Sequence, residues 1–318
     1  MKNFLKIVFG NAQTCNIYIT SFEGNEPAIL IRNQYGFAFA RPSNGILTFS
    51  AGQEFFLVCT SDGTYRPKTC NPAEVIKILP CRKANSVSAV KKEIHCCGPI
   101  DENHPRGVGS LYHIGIQVPT QKDQFAILYY SCQNNETHSV YFAQEFINQG
   151  RLNGVMLSGK TFAWDKFGYG KISVPLESNN KITYGSDNNP TGQLRRFKEI
   201  FNEDLNKAKR YINFEPKKSE LYLAKGHLCP HANQPFDTWR KATYFYLNHV
   251  PQWQKINNGA WSAVEGYVRS LTTYRNLIIT TGGYDQLIIE NHATSMVNLN
   301  NVTIPKYVWK IIQNNHNP

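Results

Sequence analysis

The stretch 223–271 holds four kinds of side chain that together could cleave a phosphodiester bond. They are an imidazole, an amide, a carboxylate and a guanidinium, at His227, Asn257, Glu265 and Arg269. A histidine can serve as the general base because its unperturbed pKa lies near neutrality. An amide oxygen can hold Mg²⁺, which keeps several of its water molecules and needs few protein ligands. The combination predicts metal-assisted hydrolysis, with the cation stabilising charge on the phosphate and on the leaving oxygen.

Taken one at a time, each of these residues has an ordinary structural interpretation. A histidine that follows a glycine is most often a turn residue. Glu265 and Arg269 have the i, i+4 spacing of a surface ion pair, and Asn257 opens an Asn-Asn-Gly segment that could simply cap a helix. The functional interpretation therefore rests on the joint spacing of the four residues. Three of their neighbours are assigned structural roles only: Cys229, His231 and His249.

Two strands and a helix are expected to position these side chains. The segment 222–227 predicts a strand that ends at the histidine. The aromatic run 244–247 lacks polar alternation, which is typical of a strand buried on both faces. The segment 259–271 has the apolar period of a helix, with Glu265 and Arg269 on a different face from the apolar residues. Those apolar positions are Trp261, Val264, Val268 and Leu271.

The rest of the chain indicates the α+β class. Alternating runs separated by turn residues predict a small β-rich region over 16–97, and the breaker-rich segment 98–107 predicts a boundary between units 1–105 and 106–318. One helical period, with Leu194, Phe197 and Leu205 on one face, covers 194–205. The other predicted strands are 17–19, 28–31, 37–39, 46–49, 55–58, 111–118, 125–130, 140–143, 277–280, 287–289 and 307–312.

Size and charge narrow the range of partners. The chain has 318 residues, enough for one large domain or two ordinary ones, and its hydrophobic content of 41% indicates a folded protein. Its formal net charge is +11 and its pI about 9.2. Such an excess of positive charge favours a nucleic acid or an anionic membrane surface and speeds its capture. No apolar run reaches transmembrane length, so nucleic acid is the expected partner and no membrane association is expected.

The cysteine pattern indicates an oxidising compartment. Seven of the eight cysteines lie in the first 132 residues and no pair has CxxC spacing, so disulfides fit better than a zinc site. The adjacent Cys96 and Cys97 are expected to bond different partners. Two glycosylation sequons, at Asn135 and Asn301, point the same way. The segment 1–10 has a basic start and an apolar run shorter than that of a usual signal peptide, and we predict a secreted protein.

Three motifs resemble those of the DNA/RNA non-specific endonucleases of the ββα-metal superfamily. They are LAKGHL at 223–228, ATYFYLNHVPQWQ at 242–254, and INNGAW at 256–261 with Glu265 four residues later. Within the family, the similarity is to the secreted arthropod branch of double-stranded RNases and duplex-specific nucleases. Looser similarity extends from about residue 111 to residue 312, and the β-rich N-terminal region is similar to the segment that precedes the catalytic domain in that branch.

The resemblance implies a fold and a role for each motif residue. The implied fold is a ββα-metal core with a central antiparallel sheet flanked by helices, preceded by the small β-rich region with its cysteines. His227 corresponds to the general base and Asn257 to the direct ligand of Mg²⁺, for which Mn²⁺ can substitute. Glu265 corresponds to the acid that supports the water shell of the metal. Asn248 and Arg269 correspond to residues that order the site and contact phosphate.

The other basic residues match the family pattern less closely. Arg195 and Arg196 are both candidates for the family's transition-state arginine, and Arg195 is preferred. Lys225 stands where the family has an arginine, so it keeps the charge for binding phosphate but loses the bidentate fork. Cys229 and His231 stand where small residues and lysine are commoner. Relatives also continue into a further strand beyond the last one here, so the expectation is either an open sheet edge or an edge that a partner covers.

The leading prediction is a secreted, Mg²⁺-dependent endonuclease that cleaves double-stranded RNA or DNA with little sequence preference. Weak preference follows if the contacts go to phosphates and sugars instead of base edges. The alternative is a nucleic-acid-binding protein of the same fold with impaired catalysis, suggested by Lys225. A mitochondrial nuclease of the same superfamily is a weaker alternative, disfavoured by the cysteines and sequons.

Overall fold

The computed structural model describes most of the chain, and the side chains of 88–91, 93–96, 219, 298 and 299 are excluded from that description. The segment 1–10, the sequon at Asn301 and the Cys96 side chain therefore lie outside the described part. The described residues are 13–19, 26–74, 76, 78–82, 87–100, 102–103, 105–119, 124–150, 190–215, 219–289, 298–299 and 302–315.

The N-terminal β-rich region forms as the sequence predicts. Its strands are β1 (Thr14–Tyr18), β2 (Ala28–Asn33), β3 (Gly36–Phe39), β4 (Ile46–Ser50), β5 (Glu54–Cys59) and β6 (Thr64–Thr69). Strands β1 and β4 pair with each other, and the others form an antiparallel sheet in the order β3-β2-β5-β6. Two disulfides, Cys15–Cys70 and Cys59–Cys81, cross-link this region. They confirm that cysteines stabilise it.

A six-stranded antiparallel sheet forms the centre of the molecule, in the order β18-β15-β10-β9-β8-β7. Most of its strands lie where apolar alternation predicted them. The remaining strands of the chain are β7 (Ser88–Cys97), β8 (Gly109–Gln117), β9 (Phe125–Asn134), β10 (Val140–Ile147), β11 (Asn213–Glu215), β12 (Ser219–Leu221), β13 (Leu223–His227), β14 (His249–Trp253), β15 (Leu277–Gln286), β16 (Asn298–Leu299), β17 (Val302–Thr303) and β18 (Pro305–Asn314).

Strand β7 connects the units 1–105 and 106–318 that the sequence predicts. It precedes residue 105 but pairs with β8 as a strand of the central sheet. The disulfide Cys97–Cys132 then ties it to β9, two strands away in the sheet order. Sequence alone assigned this segment to the N-terminal region because the partner of a strand is decided by contacts distant in sequence.

The helices of the described residues are short and lie outside the sheets. They are α1 (Pro190–Ile200), α2 (Leu205–Lys209), α3 (Asp237–Ala242), α4 (Gln254–Ile256) and α5 (Ser262–Leu271). The prediction of one helix over 194–205 was wrong in its second half, because the chain turns at Asn202 and Glu203, which both have positive φ. The Asp204 side chain then accepts a hydrogen bond from the Lys207 backbone and caps α2. Leu205 is 41% exposed as a result.

A ββα unit carries the sequence motifs. Strands β13 and β14 pair antiparallel, with His227 opposite His249, and form a two-stranded sheet. The chain then passes through α4, a five-residue π-helical segment over Asn257–Trp261, and α5. The predicted strand ending at the histidine and the predicted helix after residue 259 are confirmed.

Three local predictions in and near this unit were wrong. The run 244–247 is a turn leading into a 3-10 helix over Tyr246–Asn248, although Phe245 and Leu247 are buried as expected. The segment 287–289 lies beyond the end of β15. On α5, Val264 is 39% exposed while Glu265 and Arg269 turn towards the interior. Phe245 and Leu247 are buried as their apolar character predicts, but that character does not determine the backbone conformation, and on α5 it does not determine burial either.

The core connects the N-terminal region, the central sheet and the ββα unit. Phe39 of β3 packs edge-on against Trp239 of α3, with 4.7 Å between ring centroids. The Tyr129 hydroxyl of β9 donates a hydrogen bond of 2.8 Å to the Ala242 carbonyl. Among the described helices, none is long and apolar enough to cross a membrane.

Candidate active site

His227 lies at the last position of β13, with its ring packed against aromatic neighbours. The Tyr244 ring meets it edge-on, 4.7 Å away and at 82°, and the His231 ring lies at 6.1 Å between centroids. Burial, and secondly the charge of His231, lower the pKa of His227 to about 3. The imidazole is therefore neutral at physiological pH, as a general base must be.

Asn248 organises the backbone around this histidine. It is fully buried, and its Nδ2 donates to the carbonyl oxygens of Cys229 and Thr243, each at 2.8 Å. Its Oδ1 accepts from the Cys229 amide at 2.8 Å. Because both Nδ2 hydrogens are engaged internally, the geometry favours the ordering role expected for Asn248 and does not support a direct phosphate contact.

Helix α1 is docked onto β13 through one glutamine. Gln193 Nε2 donates to the Leu223 carbonyl and Gln193 Oε1 accepts from the Leu223 amide, both at 2.8 Å. Since a helix turns by about 100° per residue, Arg195 points about 160° away from Gln193, whereas Arg196 lies about 60° from it. Arg195 is exposed, and Arg196 forms an ion pair of 3.1 Å with Glu199. Arg196 therefore projects from nearly the same side of α1 as Gln193, and Arg195 from the opposite side.

Lys225 lies two residues before His227, on the same face of β13. Its Nζ lies 5.9 Å from the centroid of the Tyr246 ring, at the outer range of a cation–π contact. Partial burial lowers the pKa of its ammonium. A cation therefore stands beside the candidate base, as the motif predicted.

Asn257 lies where the helical backbone is distorted. It is half-buried in the π-helical segment, and Gly259 within that segment has φ −101° and ψ −109°, outside helical values. The Asn257 Nδ2 makes one long hydrogen bond of 3.4 Å to Asn258 Oδ1. Its own Oδ1 accepts none from the described residues, so this oxygen is available to a ligand. Single π-helical turns are frequent at functional sites.

Glu265 and Arg269 face inwards from α5 as an ion pair with 3.9 Å between Oε2 and Nη1. Only 17% of the Glu265 side chain is exposed, and this burial raises the pKa of its carboxyl to about 7. The positive charges of Lys310 and Arg269 oppose the increase, and Glu145 adds to it. An additional cation beside Glu265 would favour its ionised form.

Lys310 lies between the strand end that bears His227 and the helical segment that begins at Asn257. Burial, and secondly the charges of Arg240 and Arg269, lower the pKa of His231, whose ring lies 6.1 Å from that of His227. Lys310 Nζ lies 3.5 Å from the Leu228 carbonyl and 5.2 Å from the Trp261 ring. His227 and the helix that follows Asn257 therefore border the same interior region.

Sequence reasoning missed His231 and Lys310. His231 had an available signal, because it is a second imidazole four residues after the first. Lys310 had none beyond its place in the looser similarity, because it is 83 residues away from His227 along the chain. It reaches the site only because β18 pairs with β15 in the central sheet.

The sequence was compared with known proteins. The family model for DNA/RNA non-specific endonuclease matches residues 108–318. The chain belongs to this family.

Two salivary proteins are similar to this chain. A salivary endonuclease of Lutzomyia longipalpis is 25% identical over 246 residues, which cover 76% of this chain and 52% of that protein. A salivary endonuclease of Culex quinquefasciatus is 24% identical over 309 residues, covering 95% of this chain and 72% of that protein. The chain thus spans about half the length of the first of these relatives.

Mitochondrial endonuclease G is related over a shorter stretch. The bovine protein is 34% identical over 95 residues, covering 28% of this chain and 32% of that protein. The solved EndoG/EndoGI complex aligns with 18% identity over 58% of this chain and 64% of that chain, at a TM-score of 0.32. That score is too low to define the fold, which the ββα unit and the central antiparallel sheet already show.

The donors present near the candidate base fit a hard, largely hydrated cation. Within the described residues there is no group of three or more His, Cys, Asp or Glu that could hold a metal ion. The described residues therefore do not form a zinc or transition-metal site with several such ligands. The Oδ1 of Asn257 and the carboxylate of Glu265 are oxygen donors, the type that Mg²⁺ and Mn²⁺ select.

Proposed function

We propose that this protein is a secreted, Mg²⁺-dependent endonuclease that cleaves double-stranded RNA or DNA with little sequence preference. The observation that carries the proposal is the neutral His227 at the end of β13, within a ββα unit whose helix bears Asn257 and Glu265. A base that stays unprotonated and oxygen donors for a cation are the requirements of metal-assisted phosphodiester hydrolysis.

Each residue of the proposed site has a separate role. The His227 imidazole accepts a proton from the attacking water, and Tyr244 fixes the plane of its ring. Lys225 and Arg269 attract and orient the scissile phosphate through charge. We assign the transition-state arginine to Arg196, whose present partner Glu199 is exposed and can be displaced by phosphate at small cost.

Asn257 would bind the metal ion directly, and Glu265 would hold part of its water shell. Mg²⁺, or Mn²⁺ in its place, supplies positive charge for the phosphate and the leaving oxygen when bound. A carboxyl with a pKa of about 7 ionises readily once a cation approaches. Glu265 would therefore respond to metal binding within the physiological pH range.

The substrate assignment rests on charge. A net charge of +11 favours long polyanions, and contacts to the phosphate backbone carry no sequence information. Duplexes present closely spaced phosphates and are the proposed substrates. Electrostatic capture of this kind weakens steeply with salt concentration.

The disulfides support secretion. Three are present in the described part of the chain, Cys15–Cys70, Cys59–Cys81 and Cys97–Cys132, and such bonds persist in oxidising compartments. Glycosylation at Asn135 is opposed by geometry, because its Nδ2 donates a hydrogen bond of 3.2 Å to the Val108 carbonyl. Mass spectrometry of the native protein should find Asn135 unmodified. A glycan there would show that this hydrogen bond is absent in the mature protein.

The test is digestion of duplex RNA, duplex DNA and single strands, with Mg²⁺ and with EDTA. Wild type should cleave duplexes with Mg²⁺ alone, and His227→Ala should lower the rate by about 100-fold or more, the usual contribution of a general base. The variant should still bind duplexes in a salt-sensitive manner. Binding without cleavage by the wild type would establish the alternative, a nucleic-acid-binding protein with impaired catalysis.

A further inference from the structure

Lys310 extends from the central sheet into the region between the strand end that bears His227 and the helical segment that begins at Asn257. It lies on β18, the outermost strand on one side of that sheet. Its Nζ donates to the Thr281 hydroxyl on the neighbouring β15, and to the Leu228 carbonyl at 3.5 Å. The same ammonium lies 5.2 Å from the centroid of the Trp261 ring.

Each partner of Lys310 belongs to a different part of the molecule. Leu228 directly follows His227, so its carbonyl reports the position of the candidate base. Trp261 is the last residue of the π-helical segment that begins at Asn257, and it precedes Glu265 by one helical turn. Thr281 belongs to the central sheet. One ammonium group therefore contacts the base-bearing strand end, the helix and the sheet.

Backbone hydrogen bonding does not join these three parts directly. Strands β13 and β14 form a sheet of their own, separate from the six-stranded sheet, within the described strands. Side-chain contacts therefore help to set the position of His227 relative to the central sheet. Such side-chain contacts determine whether the catalytic groups can be displaced by small distances.

Burial of the Lys310 ammonium carries a desolvation cost. Burial lowers the pKa of Lys310, while the carboxylates of Glu145 and Glu265 oppose that shift. A methionine of similar length would fill the space without the desolvation cost. Packing alone therefore does not explain why a lysine occupies this position. Its contacts with Leu228 on one side and Trp261 on the other explain it.

We propose that Lys310 is a positioning residue that holds the His227 strand end and the helix bearing Asn257 and Glu265 at a fixed separation. The inference rests on the proposed function, because it concerns the geometry between its base and its metal-binding residues. Lys310 acts through Leu228, Trp261 and the charge of Glu265, and it does not contact substrate.

The experiment compares Lys310→Met with Lys306→Met, a matched loss of one lysine four residues earlier on β18. Lys306 is exposed and pairs with Asp285 at 3.7 Å, outside the site. In Lys310→Met, cleavage of duplex RNA should fall by about 10- to 100-fold, the usual effect of removing a group that orients metal ligands. The Mg²⁺ concentration for half-maximal cleavage should increase in the same variant. Lys306→Met should match wild type in both measurements.

A second measurement does not depend on cleavage. Mg²⁺ that binds the folded state raises the melting temperature, and this increase should be smaller in Lys310→Met than in wild type or Lys306→Met. Thr281→Val serves as the second variant, because it keeps the lysine and removes the hydroxyl that orients it. It should show the same changes to a smaller extent, even if Lys310→Met fails to fold.

The outcomes separate the two proposals. A wild type that does not cleave contradicts the proposed function, whatever the variants do. A wild type that cleaves, with Lys310→Met unchanged in rate and in Mg²⁺ dependence, overturns the positioning role alone. The positioning role is also overturned if Lys310→Met does not fold and Thr281→Val matches wild type in cleavage rate and Mg²⁺ dependence. Lys310 would then be needed for folding only.

Discussion

Asn248 holds Cys229 by both of its backbone groups, accepting from the amide and donating to the carbonyl, each at 2.8 Å. The two residues are 19 positions apart, yet this pair of bonds reproduces the pattern of a short β-ladder. Leu228 N also donates to the Asn248 carbonyl at 3.0 Å. The pairing of β13 and β14 is thereby extended past His227, which explains why an asparagine is completely buried there.

Asn248→Ala should therefore destabilise the protein. The change leaves the Cys229 amide and carbonyl and the Thr243 carbonyl without this partner in the interior, at about 1–3 kcal/mol for each unsatisfied group. We expect the free energy of unfolding to fall by about 3 kcal/mol or more, measured by urea titration. Asn71→Ala, in an exposed turn, is the control and should change it much less. Equal midpoints for the two variants would contradict the assigned role.

Acid stability should depend on two buried histidines. Burial, as the main cause, lowers the pKa values of His227 and His249 from 6.5 to about 3. The unfolded chain therefore binds more protons between these values, so stability is complete above pH 6.5 and declines as the pH falls towards 3. His249→Gln should reduce the slope of unfolding free energy against pH by up to one proton. An unchanged slope would show that His249 is protonated in the folded state.

Mg²⁺ binding should become tighter as the pH increases towards neutrality. The Glu265 carboxyl has a pKa of about 7 without metal, so below that pH a cation must displace its proton. The Mg²⁺ concentration for half-maximal cleavage should decrease by up to about tenfold per pH unit between pH 6 and pH 7. Glu265→Gln should cleave more slowly and lose this dependence. A dependence that persists in the variant would assign it to another group.

Ionisation of Glu265 changes stability with pH in the opposite direction to that of the two histidines. Its pKa is raised above the ordinary value of 4.5, so its contribution is complete below that pH and is lost as the pH increases through about 7. The stability of Glu265→Gln relative to wild type should therefore be higher at pH 8 than at pH 4. Thermal unfolding at both pH values measures this difference, and an equal difference at both would contradict the raised pKa.

Lys225→Arg should increase activity. Arginine restores the planar fork that binds two phosphate oxygens at once and keeps a cation near the Tyr246 ring. We expect kcat/KM on duplex RNA to increase by about three- to tenfold at fixed salt, and Lys225→Met to lower it by at least as much. A slower arginine variant would indicate that the site is shaped for lysine and that the family's arginine has been replaced to advantage.

Much of the site was accessible from sequence because its motifs are local. His227, Lys225 and Gly226 share one strand, and Asn257 and Glu265 share one helical region. Period-2 and period-3.6 patterns identify such elements, since a side chain's direction follows from its place in the element. The same reasoning placed most strands of the central sheet.

Sequence periodicity failed where burial did not follow the apolar pattern. The run 244–247 is apolar and buried, but a turn and a 3-10 helix bury it as well as a strand would. On α5, the charged Glu265 and Arg269 face inwards and the apolar Val264 faces outwards. The charges of Lys310 and Glu145 reach Glu265 from other elements, and no local pattern records them.

The sequence by itself determined the family, the α+β class, the base candidate and the metal-ligand candidate, because these depend on residue types at short spacing. Only the tertiary structure decided that β7 joins the central sheet, that Asn248 is saturated internally, that Gln193 docks α1 onto β13, and that Lys310 lies between Leu228 and Trp261. Those facts depend on pairings between residues far apart in the chain, which are selected by the packing of the whole molecule.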